Sequence, residues 1–171
     1  MKVNKVKDIV SLLTAFSTLF IAETNTDAAE CYARIAKVGI QSGAQMVRRF
    51  GISNPMAPSL PSALGASEAS LLEMTAAYAS FPNTGIRMAP HLIRKVYNRD
   101  GSLLEEFEGT SSKVTNEYVA LTMVQMMRGV TAGGGTAPGA NAAGHQLAGK
   151  TGTVNSHTDV WFIGYTPSYA T

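Results

Sequence analysis

Leu147-Ala148-Gly149-Lys150-Thr151-Gly152-Thr153-Val154, then Asn155-Ser156-His157, then Asp159-Val160-Trp161-Phe162-Ile163-Gly164-Tyr165: the reading of this stretch decides the fold. Its two halves predict strands joined by a short polar turn at 155–157. The second half alternates. Val160, Phe162 and Gly164 fall on one face, and Asp159, Trp161, Ile163 and Tyr165 on the other. The first half carries Gly149, Lys150 and Gly152 where a plain core strand would carry β-branched residues. Glycine in a strand lets another backbone or a ligand come close. A lysine flanked by threonine hydroxyls offers a fixed positive charge and two donors at one spot. That suits an anionic ligand, above all a carboxylate. The bland alternative is an ordinary hairpin with a solvated edge lysine, because Lys-Thr-Gly alone is common by chance.

Working outward, the 171 residues make one domain's worth of chain, long enough to bury a core. With 45% hydrophobic and 15% charged residues the chain reads as globular and charge-poor. A net charge of +2 gives no electrostatic case for nucleic acid or an anionic membrane surface, and no nucleic-acid partner is expected. The single cysteine, Cys31, excludes an internal disulfide. His91, His145 and His157 have no metal-ligand spacing, so neither a metal nor any other cofactor is expected.

Upstream, Lys2, Lys5 and Lys7 precede an apolar run from Ile9 to Ala22. Two readings of this start stay open. It can be an export signal, or an amphipathic or buried helix, since Asp8 and several hydroxyl residues dilute it. The run is too short to span a bilayer, which takes about 20 apolar residues. Helices are predicted over 28–38, with Gly39 as its stop, and over 43–50, ended by Gly51. Pro55, Pro58 and Pro61 make 52–64 an irregular connector. Ser70 and Glu73 form a capping box for a helix over 70–80, with Leu71, Met74, Tyr78 and Phe81 on its apolar face. A hairpin is predicted from strands 90–97 and 102–107 around the turn Asn98-Arg99-Asp100-Gly101. Thr115 is the expected cap of a helix reaching Thr131, with Val119, Met123, Met126 and Val130 buried by core packing. Residues 132–144 read as a flexible loop. It lacks the Gly-Lys-Ser/Thr ending of a phosphate loop, so no nucleotide site is expected.

Lys150-Thr151-Gly152-Thr153, a polar turn, then Asp159-x-Trp161-Phe162-x-Gly164-Tyr165 resembles the third active-site motif of the penicillin-binding proteins, the serine transpeptidases that cross-link bacterial peptidoglycan. Pro61-Ser62-Ala63-Leu64-Gly65, Glu68 to Glu73 and Ala77 to Phe81 resemble the segment before that motif, particularly in the bifunctional high-molecular-weight members. The likeness runs from Cys31 to the C-terminus. It divides the chain into an N-terminal segment, 1–30, of unclear relation and a partial transpeptidase domain, 31–171.

The resemblance implies an α/β (α+β) fold of the β-lactamase/transpeptidase kind, with an antiparallel sheet flanked by helices and cut at both ends. It implies cell-envelope work, on the periplasmic or extracellular face of the cytoplasmic membrane. The ligand would be a D-Ala-D-Ala stem peptide or a β-lactam. In the family a Ser-x-x-Lys supplies the serine that attacks the ligand carbonyl, a Ser-x-Asn lies opposite, and Lys-Thr-Gly closes the site. Lys150, Thr151, Gly152 and Thr153 carry over as the substrate-binding side, with the Thr153 amide as an oxyanion donor. This sequence contains no Ser-x-x-Lys, so no catalytic nucleophile is assigned. Asn25 is a doubtful second motif, within Glu23-Thr24-Asn25, where Glu stands in place of Ser. Three functions follow. The first is a transpeptidase segment inactive alone, with self-association or docking on N-terminal transpeptidase elements. The second is a non-catalytic binding or complementing module. The third, and weakest, is a serine hydrolase of the β-lactamase type.

Overall fold

The computed structural model describes residues 32–33, 35–141, 144–153 and 160–171. Residues 1–22, Asn25, Cys31 and the turn at 155–157, read above from the sequence, lie outside them. Gly39, at φ 94°, separates a helical stretch at 35–38 from helix α1, Ile40–Arg49. This helix starts earlier than the predicted Gly43, because Gly43 N already donates to Gly39 O at 3.2 Å. Met46 and Val47 turn inward, and Phe50 and Ile52 follow them into the core.

Helix α2 spans Leu71–Ala79 and has its predicted capping box. Ser70 Oγ accepts from Glu73 N at 3.3 Å, and the Glu73 carboxylate accepts from Ser70 N at 3.2 Å. Glu73 also accepts from Ser53 N at 3.0 Å, so the cap ties the connector to the helix. These hydrogen bonds, from Ser53 and Ser70, hold the Glu73 carboxyl at about 2. The predicted apolar face is only partly right. Tyr78 and Phe81 are buried, but Leu71 is 52% exposed, because the core stops at the level of Met74.

Strands β1 (Ile86–Met88), β2 (Lys95–Tyr97), β3 (Leu103–Glu106) and β4 (Ser111–Lys113) form a nested pair of ribbons. The outer pair, β1 with β4, encloses the β2–β3 hairpin. The turn is where it was predicted: Gly101 N donates to Asn98 O and Ser102 N to Asp100 Oδ1. The first strand is shorter than the predicted 90–97. Its last rung is Phe107 N to Arg94 O, and among the described residues no ladder bond is made by 90–93.

Helix α3, Glu117–Thr131, is capped by Asn116 and not by Thr115. Asn116 Oδ1 accepts from Val119 N at 2.8 Å, while Thr115 is buried. The helix buries Val119, Ala120, Met123, Met127 and Val130. Met126, expected inside, is 40% exposed, and Met127 is 1% exposed. The inward stripe runs Val119, Met123, Met127 at i, i+4, i+8, and Met126 lies a full residue's rotation off it. Tyr165 Oη donates to Met127 Sδ at 3.6 Å, which fixes this phase.

Strands β5 (Ala148–Thr153) and β6 (Val160–Tyr165) pair antiparallel, with Lys150 opposite Ile163. Both predicted strands are present within these bounds. α3 packs along β5, and α2 packs on β6 and β1. The expected α/β fold, antiparallel strands flanked by helices, is present, and among the described residues its strands form three two-stranded antiparallel ribbons. After β6 the chain doubles back, and Gly164 and Thr171 exchange N–H···O bonds of 2.9 Å.

Met127→Ala should cost about 2–5 kcal/mol, the range for emptying a buried methionine site. Met126→Ala should stay within about 0.5 kcal/mol, as surface substitutions do. Urea unfolding of the two variants checks the phase of α3.

Candidate functional site

The ribbon β5–β6 is held to the body of the molecule at the end where β5 starts and β6 finishes. At its start, Thr131 Oγ1, at the end of α3, donates to Leu147 O at 2.7 Å. Ala148, Ile163 and Tyr165 then pack into the core. Residues directly opposite in an antiparallel pair point to the same side. Lys150 therefore shares the inward face with Ile163, and Thr151 and Thr153 share the other face with Phe162 and Val160.

The glycines of this ribbon have one visible function. A Cβ on Gly149 would come 2.6 Å from the Phe162 ring and 2.6 Å from Ile163 O. A Cβ on Gly164 would also come 2.6 Å from that ring. The close approach anticipated from the sequence is real at Gly149, and the group that approaches is Phe162.

Lys150 is 3% exposed. The solvated edge lysine weighed from the sequence is therefore not what the fold builds, because α3 covers the inward side of β5. Its Nζ donates to Thr151 O at 2.8 Å and, at a longer 3.4 Å, to Thr151 Oγ1. Burial lowers its pKa to about 8. At neutral pH it still carries its proton. Gly152 is buried, Thr151 half-buried and Thr153 exposed, so hydroxyl access rises along the strand toward Thr153. Along its edge away from β6, β5 has no strand partner among the described residues. A buried cation, two hydroxyls and an unpaired strand edge can together seat a peptide-like ligand that carries a carboxylate.

All four strand residues proposed from the sequence, Lys150 to Thr153, thus lie together. Asn25 lies outside the described residues. One further group was not foreseen. Thr136, in the glycine-rich loop, places its Oγ1 3.0 Å from Thr151 Oγ1. Nothing in the local sequence marks it. Only the fold of the loop back over α3 brings it there. That loop, expected to be flexible, includes a 3-10 turn at Pro138–Ala140 and returns to α3 through Ala137 N to Val130 O at 2.9 Å. Among the described residues no group of three or more His, Cys, Asp or Glu side chains is placed to hold a metal ion.

Three comparisons bear on this arrangement. The family model for the penicillin binding protein transpeptidase domain matches residues 28–171. Penicillin-binding protein 1A of Neisseria meningitidis is 36% identical over 144 residues, covering 80% of this chain and 18% of the relative. Penicillin-binding protein 1A of Clostridium acetobutylicum is 34% identical over 138 residues, covering 78% of this chain and 17% of the relative. The chain therefore spans less than a fifth of the length of these relatives. Among solved structures, PonA1 of Mycobacterium tuberculosis in complex with penicillin V superposes with a TM-score of 0.69 at 26% identity, over 82% of this chain and 42% of that one. The penicillin-binding protein 1A of Haemophilus influenzae gives a TM-score of 0.70 at 23% identity, over 78% of this chain and 26% of that one, a likeness of fold.

The lowered pKa of Lys150 sets a pH signature. Folded, the group titrates at about 8, against 10.5 for a solvated lysine. Below pH 8 both states carry the charge, and burial costs the fold its full penalty. Above pH 8 the unfolded chain holds more proton, so stability rises with pH. Burial pushes the Tyr78 and Tyr165 phenols up, so above pH 10, where unfolded tyrosine ionises, stability falls again. Stability should therefore rise by about 1–3 kcal/mol between pH 8 and 10. Lys150→Met should abolish that rise. Denaturant unfolding across the pH range measures both.

Proposed function

Because the chain belongs to the penicillin-binding protein transpeptidase family, we propose that β5 is the carboxylate-binding wall of a D,D-transpeptidase site. The ligand is a stem peptide ending in D-Ala-D-Ala, or a β-lactam that imitates it. One observation supports this above the others: the Lys150 ammonium is buried against Thr151, on a strand whose outer edge has no strand partner among the described residues. A buried charge costs stability, and a strand with no function for it would carry an apolar residue. The ligand main chain adds along the open edge of β5. Its carboxylate takes charge-assisted hydrogen bonds from Lys150 and from the hydroxyls of Thr151 and Thr153.

The chemistry is acyl transfer. A serine hydroxyl attacks the carbonyl of the penultimate D-alanine, the peptide bond breaks, and the terminal D-alanine leaves with the serine's proton on its amine. An amine of a second stem peptide then takes the acyl group and the serine recovers its proton. The Thr153 amide stabilises the oxyanion of the tetrahedral intermediate formed within each step. This sequence has no Ser-x-x-Lys, so the nucleophile belongs to another segment, and residues 31–171 act as the Lys-Thr-Gly part of a partial transpeptidase domain. The absence of that motif also favours a second reading, a module that binds stem peptide or a partner segment without turnover. A β-lactamase-type hydrolase needs the same serine and gains no support. The family works at the cell envelope. Among the described residues no helix is long and apolar enough to cross a membrane.

Incubated alone with a fluorescent penicillin, the chain should show no covalent band on a denaturing gel. A band mapped to one of its serines would refute the need for another segment. Completed by a Ser-x-x-Lys segment, fused or added in trans, it should acylate. Lys150→Ala should then slow acylation by roughly ten- to a few-hundredfold, since a hydrogen bond to a charged group is worth about 1.5–3 kcal/mol and each 1.4 kcal/mol is a factor of ten. The acylation rate constant measures it. Val160 and Trp161, 67% and 53% exposed at one end of β6, should promote self-association of the chain alone, read by light scattering at tens of micromolar.

A further inference from the structure

We propose that Thr136 is a positioning residue for the ligand carboxylate, acting through Thr151. The proposal rests on the reading of β5 as the carboxylate wall. Its starting point is the hydroxyl pair Thr136 Oγ1···Thr151 Oγ1 at 3.0 Å, made between residues 15 apart in sequence.

The loop that delivers Thr136 is built for close approach. A Cβ on Gly135 would lie 2.3 Å from both Gly129 O and Val130 O, so the backbone there rests directly on the last turn of α3. Gly135 N donates to Ala132 O, and Ala137 N to Val130 O, both at 2.9 Å. Thr136 is thus held between two backbone anchors, and its side chain reaches across to β5. The same turn of α3 holds the start of β5 through Thr131 Oγ1 and Leu147 O. Loop and strand share one support, which fixes the distance between the two hydroxyls.

Proton counting gives the direction of the bond. A threonine hydroxyl has one proton and two acceptor lone pairs, and an ionised carboxylate only accepts. Lys150 Nζ already donates toward Thr151 Oγ1. When Thr151 gives its one proton to the ligand, Thr136 must be the donor in the pair. Its own proton is then committed to Thr151 and does not reach the ligand. Thr136 therefore sets the rotamer and polarity of the Thr151 hydroxyl. With Thr136 replaced by an apolar isostere, Thr151 is free to rotate its proton away from the carboxylate.

The test uses the full chain, first alone and then completed by a Ser-x-x-Lys segment. In the chain alone, Thr136→Val should leave the fold intact, because Thr136 is exposed. It should let the Thr151 side chain average among rotamers, seen in its three-bond NMR couplings. Unchanged couplings would overturn the proposal. In the completed protein, the rate of acylation is measured with a penicillin and with its methyl ester, which lacks the charged carboxylate. Thr136→Val should slow the penicillin by roughly three- to tenfold, the worth of one neutral hydrogen bond, and leave the ester unchanged. Thr136→Ser should behave as wild type. Equal slowing of acid and ester, or no slowing of either, would overturn the proposal, and so would a serine variant as slow as the valine one. Lys150→Ala, run in parallel, separates the two levels. If it leaves the penicillin rate unchanged, the reading of β5 fails and this proposal falls with it. If it slows the reaction and Thr136→Val does not, only the role of Thr136 is lost.

Discussion

The Lys150 ammonium donates to the carbonyl of its own neighbour, Thr151, at 2.8 Å, from a side chain almost wholly shut away from water. Removing an ammonium from water is expensive, and in a protein the usual outcome is a lowered pKa, as here. The surroundings must therefore be rigid enough to keep the charge where it is. α3 provides that rigidity. It packs along β5, fixes its start through Thr131, and meets β6 through Met127 and Tyr165. Phe50, just after α1, with Tyr78 of α2 and Phe81 just beyond it, belongs to the same core, the Phe50 and Phe81 rings tilted by 40° at 5.4 Å between centroids.

The same constraint explains the composition of the ribbon. Ile163 and Tyr165 fill the inward side of β6 beside the lysine stem, and a plain core strand would place another branched residue where Lys150 stands. On the other face, the Phe162 ring lies over Gly149 and Gly164, which covers the ribbon without a side chain from β5. The face of Thr151 and Thr153 is thereby left for hydroxyls and for whatever meets them. A ribbon selected for stability alone would not place two glycines and a charge in six residues.

Membership of the transpeptidase family is shown, and the geometry of β5 supports a proposal for one side of a site only. No Ser-x-x-Lys occurs in this sequence, and the chain spans less than a fifth of the penicillin-binding relatives described above. What the structure shows of β5 is a buried lysine held against Thr151 and a hydroxyl pair between Thr151 and Thr136, the geometry on which the proposed recognition role rests. Under the proposed function, groups held in place in this way would lower the cost of binding.

Much of this was legible in the sequence, for local reasons. Ser70 and Glu73 announce the start of α2 because a capping box closes within one turn. Asn98 to Gly101 announce a hairpin because the turn chemistry lies in adjacent residues. Leu147 to Val154 announce a strand because they precede a polar turn and a cleanly alternating partner, and β5 forms within them. The misses were decided by long-range packing. Thr115 and Asn116 are both capable caps, and burial of Thr115 selects Asn116. Met126 and Met127 are equally apolar, and the Tyr165 hydroxyl and the lie of α3 on β5 select Met127. An exposed or a buried Lys150 spells the same tripeptide, and only the helix across β5 removes it from water. Thr136 meets Thr151 because a glycine lets the loop rest on the end of α3, and no periodicity in the chain records that contact. The sequence by itself determined the family resemblance, the strands and caps with local signals, and which residues are proposed to hold a carboxylate. The tertiary structure decided which of them are buried, which face they share and what holds them still, because those depend on groups that meet only after the chain has folded.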